Sequence, residues 1–85
     1  LFTGSPVKRI GRDRFVRNVL IAIGNSLDIG LAPIALDLLE DEAGVVRGAA
    51  IWALSRLLPA AAFAALGAGR RDLETDPVVR AEWGA

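Results

Sequence analysis

The sequence predicts an all-α fold, a short α-solenoid of antiparallel helix pairs with about two and a half repeats. Three observations point to it. A motif returns along the chain as Asp13-Arg14-Phe15-Val16-Arg17, Ala43-Gly44-Val45-Val46-Arg47 and Asp76-Pro77-Val78-Val79-Arg80, its arginines 30 and then 33 residues apart. Apolar residues between the copies recur at spacings of three and four, the period of a one-sided helix. Short runs of Gly, Asn, Asp and Pro separate these segments, which suits neighbouring antiparallel helices. A closed bundle of four or five helices is the runner-up.

Residues 1–11 read as a linker segment leading from an upstream domain, and residues 12–85 as the helical-repeat domain. Gly4-Ser5-Pro6 is turn chemistry, and Gly11 is expected to break the chain before the first helix. That helix should cover residues 14–23. Asp13 would be its N-cap, Phe15, Val19, Ala22 and Ile23 its apolar face, extended by Val16 and Leu20, and Gly24 its left-handed stop. The second should cover 31–40 with Pro33 in its first turn and Leu31, Ile34, Ala35, Leu38 and Leu39 inward.

The third, over 45–58, should be the most buried, through Val46, Ala50, Ala53, Leu54 and Leu57, with Ile51 and Leu58 widening the face. A fourth should cover 60–66, and Gly67 and Gly69 leave its continuation open. A last short helix should begin at Asp76-Pro77, an N-cap before a first-turn proline. Paired helices in units of roughly 30 residues make the predicted solenoid HEAT-like.

Hydrophobic residues make up 53% of the 85, enough for a packed core. The chain starts at Leu1 and holds no Met, and it reads as a piece of a longer protein. It has no cysteine and no histidine, which removes disulfides, thiolate catalysis, zinc sites and the usual general base. Ser5, Ser26 and Ser55 therefore lack an activating base. Asp37, Glu40, Asp41 and Glu42 lack metal-loop spacing. No catalytic, cofactor-binding or metal site is expected within the chain. The longest uncharged run, residues 57–69, is too short to span a bilayer and contains Pro59. A cytoplasmic setting with no membrane partner is expected.

The neutral total hides an uneven distribution of charge. Residues 1–18 carry Lys8, Arg9, Arg12, Arg14 and Arg17 against Asp13 alone, a local +4, and residues 19–46 carry five acids and no base. Arg47 and Arg80 recur at one repeat slot and read as structural, bridging to an acid of the neighbouring unit, with Asp37, Asp41 and Glu74 as candidate partners. Arg17 shares that slot but sits among bases that the repeat does not require. Lys8, Arg9, Arg12 and Arg14 have no counterparts in the later copies. With Arg17 and Asn18 they are the candidate RNA-binding residues, able to neutralise phosphates rather than read bases. A solvated charged face is the other reading of the same run.

Two blocks, Phe2-Thr3-Gly4-Ser5-Pro6-Val7-Lys8-Arg9-Ile10-Gly11-Arg12 and Phe15-Val16-Arg17-Asn18-Val19 with Ala22-Ile23-Gly24-Asn25-Ser26, resemble the C-terminal part of epoxyqueuosine reductase. The likeness continues in Val46-Arg47-Gly48-Ala49-Ala50-Ile51-Trp52-Ala53-Leu54 and Asp76-Pro77-Val78-Val79-Arg80-Ala81-Glu82-Trp83. These later blocks are shared by many HEAT-type repeats. The resemblance implies a cytoplasmic oxidoreductase that completes queuosine at the wobble base of certain tRNAs, using cobalamin and two [4Fe–4S] clusters held in domains ahead of Leu1. It implies that this C-terminal domain helps hold the tRNA anticodon stem-loop against those upstream domains. The competing expectation is a HEAT-type protein-interaction module without a nucleic-acid role. In either case exposed repeat ends would let the piece self-associate.

Overall fold

Six α-helices and one 3-10 turn make up the computed structural model, which describes residues 6–84, with side chains from Ile10 onward. Among the described residues there is no strand, and the fold is all-α. The expected turn at Gly4-Ser5 lies outside the described residues.

Helix α1 runs over Pro6–Ser26, longer than the sequence predicts at both ends. Gly11 does not break it. A single interior glycine costs about 1 kcal/mol against alanine, and the flanking Lys8, Arg9, Arg12 and Arg14 are good helix formers. Asp13 is consequently not an N-cap; its carboxylate accepts from Arg12 Nη1 at 2.9 Å. Gly24 does not end the helix either. It is buried against the third helix, and a Cβ there would lie 2.5 Å from Trp52 Cζ3 and 3.2 Å from the Ala53 Cα. Leu27 takes the left-handed position instead, at φ 55°. Ser26 Oγ closes the end, donating to the Ile23 carbonyl at 2.6 Å and accepting from Asp28 N at 3.1 Å.

Asp28 caps the 3-10 turn Ile29–Leu31 by accepting from Gly30 N at 2.9 Å. Helix α2, Ala32–Leu38, follows with Pro33 in its first turn. Ala32, Ala35 and Leu39 are its buried contacts, while Ile34, expected inward, is 46% exposed. The small alanines form the contact face and bring α2 close to its neighbour. Helix α3, Gly44–Leu57, buries Val46, Ala50, Ile51, Ala53, Leu54 and Leu57. Pro59 ends it by holding Leu58 extended.

Helix α4, Ala60–Gly67, stops where Gly69 turns the backbone at φ +85°, and α5, Arg70–Leu73, begins there. Gly67 lies beneath Trp83, whose ring packs on Phe63 with centroids 5.3 Å apart. Asp76 caps α6, Pro77–Ala81, by accepting from Val78 N at 2.9 Å, as the sequence predicts.

Helix α3 is central, with α1, α2, α4 and α6 all packed against it. The Cα atoms occupy a slab of 44 × 28 × 16 Å. Its thickness matches two layers of helices about 8–10 Å apart. Helix α1 meets the core through Leu20, Ile23 and Gly24, with Val16 half-buried. Of the expected face, Leu20, Ile23 and Val16 turn inward, while Phe15 is 69% exposed and Val19 and Ala22 are also exposed. Hydropathy marks a broad apolar arc on this helix, and only the half that meets α3 is covered.

The left-handed Leu27 and the Gly24 contact give opposite mutational signs. Leu27→Gly should raise stability by about 0.5–1 kcal/mol, because a β-carbon opposes that conformation. Gly24→Ala should lower it by about 1–3 kcal/mol through overpacking. Urea denaturation followed by tryptophan fluorescence measures both, and Gly24→Ala should also shift the emission of Trp52.

Candidate nucleic-acid interface

The arginines divide into those committed to the fold and those left at the surface. Arg12 reaches the loop between α2 and α3, where Nη2 donates to Asp41 Oδ1 at 2.7 Å and Nη1 to Oδ2 at 3.0 Å. Asp41 also accepts from Ala43 N at 3.0 Å. Arg47 donates from Nη1 to the Asp41 and Glu42 carbonyls, each at 2.9 Å. With Nε and Nη2 it grips the Glu74 carboxylate at 3.0 and 2.9 Å. Glu74 in turn accepts from Asp76 N at 3.0 Å, and Arg80 donates to the Glu74 carbonyl from Nε at 3.2 Å and Nη2 at 2.5 Å.

The geometry repeats after 33 residues. Asp41 and Glu74 each accept from the N–H two residues on, and each carbonyl takes the arginine six residues on. Each carboxylate also takes a two-point grip from an arginine of the preceding unit, a charge-assisted arrangement with fixed orientation. Arg47 and Arg80 therefore share the carbonyl contact, but the bridge to an acid expected of both is made by Arg47; among the described residues Arg80 holds the Glu74 carbonyl and no carboxylate. Arg17, which shares their sequence slot, makes neither contact among the described residues; Arg12 makes the first rung. The added length of α1 places Arg12 beside the α2–α3 loop.

The two ion pairs differ in shelter. The Arg47 and Glu74 side chains are 20% and 10% exposed, against 48% for Arg12. Arg47 holds the Glu74 carboxyl below its ordinary range, an effect that burial opposes and the Asp76 N–H assists. The Arg47 guanidinium is shifted up by the same hydrogen bonds. The Arg12 guanidinium is raised by Asp41 first and Asp13 second.

Of the candidate RNA-binding residues, the side chains of Lys8 and Arg9 lie outside the described residues. Arg12 is engaged by two acids. Arg14, Arg17 and Asn18 are exposed, and among the described residues they make no hydrogen bond or ion pair. Arg14 and Arg17 border a shallow hollow with Ile10, Asp13 and Val45. Arg17 and Val45 also border a groove of about 570 Å³ running over α3 to α6, floored by Gly48, Ala49 and Trp52. Asp76 and Glu82 lie at its far end. The groove is thus cationic at α1, apolar in the middle and acidic at α6.

One tie escaped the sequence reading. Arg56 lies over the Trp52 ring at 5.5 Å and donates to the Gly24 carbonyl at 3.2 Å. That carbonyl belongs to the last turn of α1, where intrahelical donors run out. The Ser26 and Ser55 hydroxyls donate to backbone carbonyls three residues earlier. Among the described residues no group of acids is placed to hold a metal ion, and no helix is long and apolar enough to cross a membrane. No protein family, curated protein or solved structure matches the chain.

The sheltered pair should dominate stability near neutrality. Arg47→Met, which strands Glu74, is expected to cost about 2–3 kcal/mol, between the ranges for exposed and fully buried pairs. The Glu74 carboxyl is depressed in the folded state, so its contribution is present above the unfolded value near pH ~4.3. It is lost as pH falls through the folded value. The gap between wild type and Arg47→Met, measured by urea titration across pH, should therefore narrow on acidification below that point.

Proposed function

We propose that this chain is the HEAT-like, tRNA-binding accessory domain of an epoxyqueuosine reductase-like enzyme that completes queuosine at the tRNA wobble base in the cytoplasm. The observation that carries the reading is the basic length of α1. Once Arg12 has been taken by Asp41 and Asp13, Arg14 and Arg17 remain exposed, with no acid bound to them among the described residues. They lie on one helix beside Asn18, Arg17 at the cationic end of the groove and Arg14 on the adjoining hollow. Two guanidinium groups held on a rigid helix can neutralise successive phosphates of an RNA strand without reading its sequence. The blocks that resemble the reductase cover this helix and supply the choice of the anticodon stem-loop as partner.

Cobalamin and two [4Fe–4S] clusters belong to the enzyme that the resemblance implies. The chain holds no cysteine, so it offers no thiolate to a cluster. Its residues do not fit such a site, and its part is confined to holding RNA against the upstream domains.

A second reading, a protein-interaction module, draws on the apolar middle of the groove, where Val45, Ala49, Trp52 and Val78 are within reach of a partner helix. RNA binding separates the two. On the proposed reading the chain binds a tRNA anticodon stem-loop with an affinity that falls steeply with salt. Arg14→Gln with Arg17→Gln should lower the log–log salt slope by about 1–2. Unchanged affinity and slope in the double variant would overturn the RNA reading.

A further inference from the structure

The glycines of α1 and α4 have visible reasons, with one exception. Gly24 lies beneath Trp52 and Gly67 beneath Trp83, where a Cβ would collide. Gly11 sits well inside α1, and a Cβ there would meet nothing within 4 Å. Alanine would be the better helix former, and no contact of the fold asks for its absence. One turn on, Phe15 is 69% exposed. Residues four apart stand one above the other on a helix, so the bare backbone at Gly11 and the Phe15 ring share one face. Arg14 and Asn18, both exposed, flank the same ring. Val19 and Ala22 continue the apolar stripe, but the cationic and polar flank belongs to the Phe15 end.

We propose that Gly11, Arg14, Phe15 and Asn18 form a seat for one unpaired nucleotide, its base stacked on Phe15 and its backbone lying along the bare helix surface at Gly11. The inference rests on the RNA reading above and narrows it from a stem-loop as a whole to an unpaired nucleotide and the residues that hold it. An aromatic face stacks on any base, which is how single strands are held without sequence choice. A base inside a duplex is already stacked and cannot use it. Arg14 supplies the charge for the adjoining phosphate. The Asn18 amide supplies a donor and an acceptor for a base edge. The missing Cβ at Gly11 lets the sugar–phosphate approach the helix backbone.

The test compares equilibrium binding of a hairpin RNA with an unpaired loop and a fully paired duplex of equal length. Phe15→Ala should weaken the hairpin about tenfold and leave the duplex unchanged. Phe15→Trp should bind the hairpin as tightly as wild type, and Phe15→Leu should behave like Phe15→Ala. Phe15 is largely exposed, so these variants should fold. Gly11→Ala is the sharper variant: it should raise Tm by about 4 °C while weakening the hairpin severalfold. Equal losses on hairpin and duplex, no loss with Phe15→Ala, or wild-type hairpin binding by the stabilised Gly11→Ala chain would each overturn the seat. If wild type binds both RNAs and the Phe15 variants change nothing, the seat is overturned and the RNA reading stands. If wild type binds neither, the RNA reading fails with it.

Discussion

Arg47 connects three parts of the chain at once. It leaves α3, takes the carbonyls of the loop ahead of that helix, and closes on the Glu74 carboxylate ahead of α6. The alternative for a half-buried Glu74 is a carboxylate left to the backbone N–H groups of Thr75 and Asp76 with no charged partner, which is costly away from water. Any slide of α6 along α3 would open that two-point grip. The pair therefore holds the register between the central helix and the last one, where the apolar contact consists of few residues, Val79 chief among them. Arg12 and Asp41 repeat the connection between α1 and the α2–α3 loop in a wetter setting, and its contribution to stability is correspondingly smaller.

Apolar packing settles how near the helices come, and glycine and alanine set that distance. Gly24 admits the Trp52 ring, and Ala32 and Ala35 line the meeting of α2 with α3. Arg56 then stacks on the outer face of Trp52 and ties the end of α1 to the same place. Gly67, Trp83 and Phe63 make a second contact of this kind between α4 and the C-terminal turn. Each indole lies over a glycine and, half-buried, packs against a core of Leu, Ile, Val and Ala side chains. The two rings enlarge a core that an 85-residue chain could not otherwise make large.

Helix α3 and the start of α6 were legible because their signals are local: an unbroken apolar period in one, and an Asp-Pro start in the other. The break after α4 was legible as an ambiguity, and Gly69 resolves it by adopting φ +85°. Helix α1 was misread at three points for a shared reason. Gly11, Gly24 and the apolar arc can each be judged only against what lies beside them. Glycine has one sequence signature for a stop, a close approach and an open surface, and α1 holds the last two without the first. The register of the arginines was half legible. Arg47 and Arg80 stand in equivalent positions, but Arg12 makes the first rung, because the length added to α1 carries it past the slot where Arg17 stands.

That extra length carries Gly11 and the Arg12 anchor, and the exposed Arg14, Phe15 and Arg17 follow directly after it. In the 30-residue register Gly44 aligns with Arg14, so α1 begins eight residues before its counterpart α3. Those residues add about 12 Å of helix beyond the repeat. An unsupported extension of this kind would fray, since terminal turns lack part of their hydrogen bonding. Arg12 anchors its inner end by gripping Asp41, and also donates to Asp13. Pairing thus removes one charge from the basic segment and in exchange makes the segment a rigid rod. Arg14, Phe15 and Arg17 are then presented from a fixed helix rather than from a loose tail. A fixed array loses less conformational entropy on meeting a polyanion than a mobile one. The ion pair that lowers the free charge of this end also allows the remaining charges to act from fixed positions.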